Sequence, residues 1–169
     1  MAIIWHSSSI DLQQHENGNQ GTHGLNQPTP YSVIHQTPSV ATYRHLRQAA
    51  GLSPKTEQAA ERGLPKTLFA VQVLANGESV AMGRVVGDGG AFYQVVDIAV
   101  LPEHQGRGLG KLIMREISAW LQREAPDSAY VSLLADGQAW RLYEQFGFVL
   151  TAPGSVGMAW KRPPPVGRN

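Results

Sequence analysis

The chain has 169 residues, a formal net charge of +1 and an apolar fraction of 42%, which is enough for one domain with a real core. The near-neutral balance argues against a polyanion surface such as DNA, so no nucleic-acid partner is expected. No apolar run approaches the roughly 20 residues needed to span a bilayer, and the absence of cysteine excludes disulfides, zinc-thiolate sites and covalent thiol catalysis.

The opening Met1-Ala2-Ile3-Ile4-Trp5 is too short, and lacks the basic flank, for a signal peptide. A soluble cytoplasmic protein with no membrane partner is the expectation. Residues 6–30 are rich in Ser, Gln, Asn, Gly and His and end in Pro28-Thr29-Pro30, so residues 1–30 read as a flexible N-terminal extension. Its His6, His15 and His23 do not share one helical face and read as solvated rather than as metal ligands. A structured domain is expected over residues 31–162.

Tyr31 to Thr37 reads as a short strand. Thr37-Pro38 supplies a helix cap and a proline at the first helical position, with Gly51 as the stop. Ser53-Pro54 repeats the start signal and Gly63 the stop, predicting two short helices in tandem. Leu68 to Ala75 is a strand, Asn76-Gly77 a hairpin turn, and Ser79 to Val86 the returning strand. Gly87-Asp88-Gly89-Gly90 turns again into a third strand, Ala91 to Leu101, which completes an antiparallel meander. A helix from about Gly108 to Glu124, a strand from Ala129 to Ala135 and a helix from Gln138 to Phe146 follow. Phe148 to Leu150 and Val156 to Trp160 read as the last short strands. The proline-rich tail, Pro163 to Asn169, cannot join a sheet and reads as disordered.

The informative stretch is Val95 to Met114. A β-branched apolar run ends at Leu101-Pro102, glycines recur at Gly106, Gly108 and Gly110, and an amphipathic helix begins with Leu109, Leu112, Ile113, Ile117, Trp120 and Leu121 on one face. A strand feeding a glycine-rich turn into a helix N-terminus is an anion site, because free N–H groups and the positive end of the helix dipole converge there. Two nucleotide templates fail. A P-loop needs glycine where Gln105 stands and Ser or Thr where Leu112 stands. A dinucleotide fingerprint needs glycine where Lys111 stands. An antiparallel meander before the loop also argues against a dinucleotide-binding fold.

Gln105, Gly108 and Gly110 do match Gln/Arg-x-x-Gly-x-Gly. With them, the stretch Asp97 to Met114 resembles the acetyl-CoA motif of the GNAT superfamily of N-acetyltransferases. A second match, Ala139-Trp-Arg-Leu-Tyr-Glu-Gln-Phe-Gly-Phe148, is similar to the Ala-x-x-Leu-Tyr-x-x-x-Gly-Phe signature of its last helix. The resemblance spans roughly Tyr31 to Lys161. It implies an α+β (α/β) GNAT fold: a mixed, mostly antiparallel sheet of six to seven strands with about four helices, in the order β-α-α-β-β-β-α-β-α-β-β. It implies acetyl-CoA as co-substrate and no metal. Its pyrophosphate would meet the amides of Gln105, Gly106, Arg107, Gly108, Leu109, Gly110 and Lys111, where glycine lets the backbone approach, with Arg107 and Lys111 adding charge. In that family the strand before the loop splays from its neighbour, so backbone groups of Ile98, Ala99 and Val100 would pair with the pantetheine arm as an extra strand does.

Acetyl transfer from a thioester needs a neutral amine, a donor for the oxyanion and a proton for the departing thiolate. Without cysteine, direct attack by the amine is expected. Tyr143 matches the tyrosine that protonates the thiolate in many members. The glutamate that many members use as a base through water falls at Gln94, which takes no proton. Asp97, an acid in an apolar strand, is then the candidate for a substrate-side catalytic role, because such a group needs a partner or a purpose. Asp136 stands where the family often has a cofactor-contacting Asn, and His104 reads as a loop residue. The acceptor would lie between the two N-terminal helices and the final hairpin. No dense acidic patch lines those stretches, so a small primary amine is favoured. The alternatives are a protein lysine or N-terminus as acceptor, and a non-catalytic acyl-CoA-sensing module. Monomer and homodimer both fit the sequence.

Overall fold

A computed structural model describes residues 31–160. The N-terminal extension with His6, His15 and His23, and the proline-rich tail, lie outside the described residues. The elements are β1 (Tyr31–Ile34), α1 (Val40–Ala49), α2 (Glu57–Gly63), β2 (Phe69–Ala75), β3 (Glu78–Gly87), β4 (Phe92–Val100), α3 (Leu109–Glu124), β5 (Tyr130–Leu133) and α4 (Trp140–Tyr143), with short 3-10 turns at Leu64–Lys66, Pro102–His104 and Glu144–Phe146. They form an α+β fold around one five-stranded sheet in the order β1-β2-β3-β4-β5. The first four strands run antiparallel, and β5 joins β4 in parallel.

Both faces of the sheet are covered, which is why β2 and β3 read as near-continuous apolar runs. The buried face of α3 (Ile113, Met114, Ile117, Leu121) lies on one side. There Trp120 stacks on Phe69 at 5.2 Å between ring centroids and meets Tyr93 edge-on at 6.1 Å. On the other side α1 contributes Tyr43 and Leu46. At the β3–β4 turn a single Asp88 oxygen accepts from the amides of Gly90, Ala91 and Phe92 at 2.9–3.0 Å. Those backbone hydrogen bonds, that from Phe92 foremost, hold its carboxyl below the usual range.

The helix starts fall later than the proline signals predict. Ser39 caps α1, its hydroxyl accepting from the Thr42 amide at 3.1 Å, and Thr56 caps α2 in the same way toward Ala59 at 3.2 Å. In each case a hydroxyl-bearing residue beyond the proline has the extended backbone that a cap requires. The last helix is also shorter than expected. Its α-helical part is Trp140–Tyr143, which tightens into the 3-10 turn before Gly147 at φ 84°.

The expected six to seven strands are corrected to five among the described residues. Phe148–Leu150 and Val156–Trp160 make no ladder. A strand register is fixed by a covered face, and Val149, Leu150, Val156, Met158 and Trp160 are all more than two-thirds exposed. Thr151 to Ser155 closes a turn, with the Ser155 amide on the Thr151 carbonyl at 2.9 Å, but the two flanks do not pair across it.

One irregularity positions the site. Arg84 pairs with Val96 and Met82 with Ala99, so Gly83 alone faces both Asp97 and Ile98. This is a β-bulge, and Asp97 sits in it at φ 59°, in left-handed space. The extra residue re-phases the strand. Ile98 turns toward α3, while Asp97 turns to the α1 side beside Arg84. Gly83 is tightly fitted: an added Cβ would approach Ile98 Cδ1 to 2.7 Å and would also strike Ile113 and Ile117. Gly83→Ala should therefore cost about 1–3 kcal/mol by overpacking, read as a lower urea midpoint at unchanged m-value. An unchanged midpoint would show that α3 yields more easily than this packing implies.

Candidate active site

The parallel ladder between β4 and β5 stops at the pair Val95 and Leu133. β5 ends there, so Val96 to Val100 have no strand neighbour on that side among the described residues. The Leu101 amide donates to the Val80 carbonyl on β3 at 2.9 Å. Strand alternation therefore turns the backbone groups of Val100 and Ile98 the other way, into the gap. The Val100 carbonyl meets the Gln105 side-chain amide there at 3.0 Å.

The gap leads to the glycine loop. The turn Pro102–His104 hands the chain to Gly106 and Gly108, at φ 72° and 79°. A Cβ at either would meet none of the described residues within 4 Å, so glycine is needed for the backbone angle. Gly108 begins α3 without a side-chain cap. Leu112 is the first residue whose amide finds an intrahelical carbonyl, that of Gly108 at 3.0 Å, leaving the amides of Leu109, Gly110 and Lys111 for another acceptor. Gly110 has a different reason to lack a side chain, since its Cβ would come 3.2 Å from Leu142 on the last helix. Arg107 Nη1 donates to the Tyr31 hydroxyl at 3.4 Å, and that hydroxyl also bonds His104 Nδ1 at 2.9 Å, which ties the loop to β1.

At the other end of the gap is a cleft of about 470 Å³, bounded by the α1–α2 connection, β3, β4, β5 and α4. Its ionisable lining is Tyr43, Arg47, Lys55, Arg84, Asp97, Asp136 and Tyr143. Asp97 lies between two guanidiniums. Arg84 Nε donates to one carboxylate oxygen at 2.7 Å and Arg47 Nη1 to the other. All three side chains are less than a tenth exposed. Arg47 also donates through Nε and Nη2 to the Ser53 carbonyl at 3.0 and 2.7 Å, and Arg84 Nη1 donates to Thr67 Oγ1 at 2.6 Å. Tyr143 is buried, and burial, then the nearby Asp136 charge, pushes its hydroxyl above the ordinary value of 10.0. A larger hollow of about 590 Å³ lies along the free edge of β5, beside residues 146–157. Among the described residues Tyr130 is its one ionisable lining residue.

The predicted residues therefore fall into two linked groups. Gly106, Arg107, Gly108, Leu109, Gly110 and Lys111 form the loop. Asp97, Ile98 and Tyr143 reach the cleft, with Val100 between. The Ala99 backbone belongs to the β3 ladder opposite Met82, so it faces away from the gap. Gln105 is engaged internally, its own amide bonding the Pro102 carbonyl at 3.2 Å. Arg47, Arg84 and Tyr43 were not foreseen. A lone arginine in the apolar run Ser79 to Val86 was the available signal.

A five-stranded α+β sheet whose fourth strand runs on past the end of its fifth toward an uncapped glycine loop is the architecture of an acyltransferase of the GNAT class. A family profile, acetyltransferase (GNAT) domain, matches residues 67–150. A Staphylococcus aureus protein of unknown function, described as a probable acetyltransferase, is 46% identical, with a TM-score of 0.75 over 79% of this chain and 100% of that one. A GNAT family protein of Streptococcus pneumoniae is 26% identical, with a TM-score of 0.65 over 79% of this chain and 98% of that one. The chloroplast GCN5-related N-acetyltransferase 2 of Arabidopsis thaliana is 38% identical over 82 residues, which are 48% of this chain and 31% of that protein. The chain thus spans about a third of the length of that curated relative. The chain belongs to the GNAT superfamily of N-acetyltransferases.

Proposed function

We propose that the protein transfers an acetyl group from acetyl-CoA to the primary amine of a small molecule by direct attack. The observation that carries this reading is the gap beside Val96 to Val100, beyond the end of β5, which joins an uncapped glycine loop at one end to a cleft holding a buried tyrosine at the other. The pyrophosphate would rest on the amides of the loop, with Arg107 and Lys111 beside it. The pantetheine arm would take the place of a missing strand against the backbone of Ile98 and Val100. The thioester would then enter the cleft beside Tyr143.

The amine nitrogen forms a bond to the thioester carbonyl carbon as the carbon–sulfur bond breaks. The departing thiolate takes the Tyr143 proton, and the nitrogen loses one. Asp136 is the cleft carboxylate without a hydrogen-bond partner among the described residues, which suits it to accept that proton directly or through water. Asp97, bound to two arginines, is better suited to hold those cations than to exchange protons. Tyr43 and the α1–α2 connection close the acceptor side. No helix among the described residues is long and apolar enough to cross a membrane, and cytoplasmic action on a dissolved amine fits this reading.

The test is release of free thiol from acetyl-CoA across a panel of amines, amino acids and peptides. Amine-dependent release supports transfer. Tight CoA binding with a silent panel would favour an acyl-CoA-sensing module. The pH profile makes a separate prediction. A phenol whose pKa is raised above 10.0 stays protonated through the neutral and mildly alkaline range, so kcat should rise as the amine deprotonates and show no Tyr143-dependent fall below pH 10. A fall between pH 7 and 9 that disappears in Tyr143→Phe would contradict the assigned role.

A further inference from the structure

The buried cluster in the cleft does not balance its charge. Two guanidiniums, each less than a tenth exposed, share one carboxylate. Arg47 has other support: the Ser53 carbonyl accepts from it twice, and it lies in the last turn of α1, where the helix dipole is negative. Arg84 has less. It has half of Asp97 and the neutral hydroxyl of Thr67, and its Nη2 has no hydrogen-bond acceptor among the described residues. The Tyr43 ring lies 5.0 Å from the Arg84 guanidinium carbon and 5.7 Å from that of Arg47. It supplies a π face rather than an anion, because burial foremost raises its pKa and keeps the phenol neutral. Lys55 adds a third cation at the lining, and Asp136, in the segment after β5, a second anion. Among the described residues the lining therefore carries an excess of one positive charge.

An uncompensated buried charge is costly, and this one is held in place at a backbone cost. The bulge puts a non-glycine residue in left-handed space so that the Asp97 carboxylate lies between the arginines. The two cations are thereby fixed along an open cleft, not dispersed in solvent. A cationic acceptor such as a polyamine would add to the excess. An acceptor with its own anion would neutralise it, and guanidinium matches carboxylate and phosphate oxygens with directed donors.

We propose that the cleft selects an amine acceptor that carries an anionic group, carboxylate or phosphate, with Arg84 as the seat of that anion and Lys55 assisting at the lining. This rests on the acetyl-transfer reading and names its substrate class. An α-amino acid is the simplest molecule that meets it: the carboxylate engages Arg84 while the amine faces the thioester between Tyr143 and Asp136.

The test compares kcat/KM with acetyl-CoA for matched sets: an amino acid, its carboxamide and the corresponding amine without the carboxyl, together with aminoalkyl phosphates. The anionic members should exceed the carboxamide by about tenfold or more, the scale of one charge-assisted hydrogen bond. Arg84→Lys and Lys55→Gln should each narrow that ratio. Lys55 is exposed, so its variant reads the charge without disturbing the fold. Calorimetric titration of N-acetyl amino acids against their carboxamides gives a readout that needs no turnover. Equal kcat/KM for acid and carboxamide overturns the inference, as does an undiminished ratio in Arg84→Lys. Succinyl-CoA with neutral amines is the last arm: if it outperforms acetyl-CoA with amino acids, the anion belongs to the donor and the inference falls. If no acceptor is acetylated yet the N-acetyl acids bind more tightly than their carboxamides, the transfer reading fails and the anion seat stands. If neither occurs, both fail.

Discussion

Replacing Tyr143 by phenylalanine should lower kcat by about 100-fold or more while leaving thermal unfolding nearly unchanged, the usual range for loss of a positioned general acid. The ring does the packing. It meets Phe148 edge-on at 6.4 Å between centroids and is buried with the core, and phenylalanine keeps those contacts. The hydroxyl makes no hydrogen bond among the described residues and lines the cleft, so its removal leaves no buried partner unsatisfied. What is lost is the proton for the departing thiolate. The effect should therefore fall on kcat and kcat/KM together, with little change in acetyl-CoA affinity. An amine-dependent rate equal to that of the parent protein would remove Tyr143 from the mechanism.

The second large effect is on stability. Asp97→Asn should destabilise the fold by about 3–5 kcal/mol, because two buried guanidiniums lose the one charge between them. On a domain of this size that is a fall in Tm of roughly 10 °C or more. Asparagine is the informative replacement, since it tolerates the left-handed backbone that the bulge imposes, so the loss reports charge rather than strain. The double variant Asp97→Asn with Arg84→Met should be less destabilised than the sum of its singles, since removing Arg84 removes one of the stranded cations. Strict additivity would mean that Arg47 and Arg84 are each satisfied without Asp97, and the charge argument for the cleft would fail with it.

The local parts of this site were legible because each is a short-range pattern. Glycines at alternate positions before an amphipathic helix mark a positive-φ loop, and both Gly106 and Gly108 have that conformation. The turns at Asn76-Gly77 and Gly87–Gly90 set the meander directly. Asp97 was conspicuous as an acid in an apolar strand, but its partners are 13 and 50 residues away. Arg47 falls on a helix predicted from its start and stop signals, which do not say which of its charges are buried, and only tertiary packing buries it. The bulge was not legible at all. It depends on Gly83 lying under Ile98, Ile113 and Ile117, a contact among three elements. The two missing strands failed for a related reason. Phe148 to Leu150 and Val156 to Trp160 have strand composition, but a strand also needs a covered face to fix its register, and no described residue covers them.

The most direct test of the account is a crystal structure of the protein with acetyl-CoA. The pyrophosphate should lie on the amides of Leu109, Gly110 and Lys111, the pantetheine arm should hydrogen-bond the backbone of Ile98 and Val100 in the gap beyond Val95 and Leu133, and the thioester sulfur should be within hydrogen-bonding reach of the Tyr143 hydroxyl. A cofactor whose thioester lies away from Tyr143, or that occupies the hollow along β5 instead of the gap, would contradict this placement.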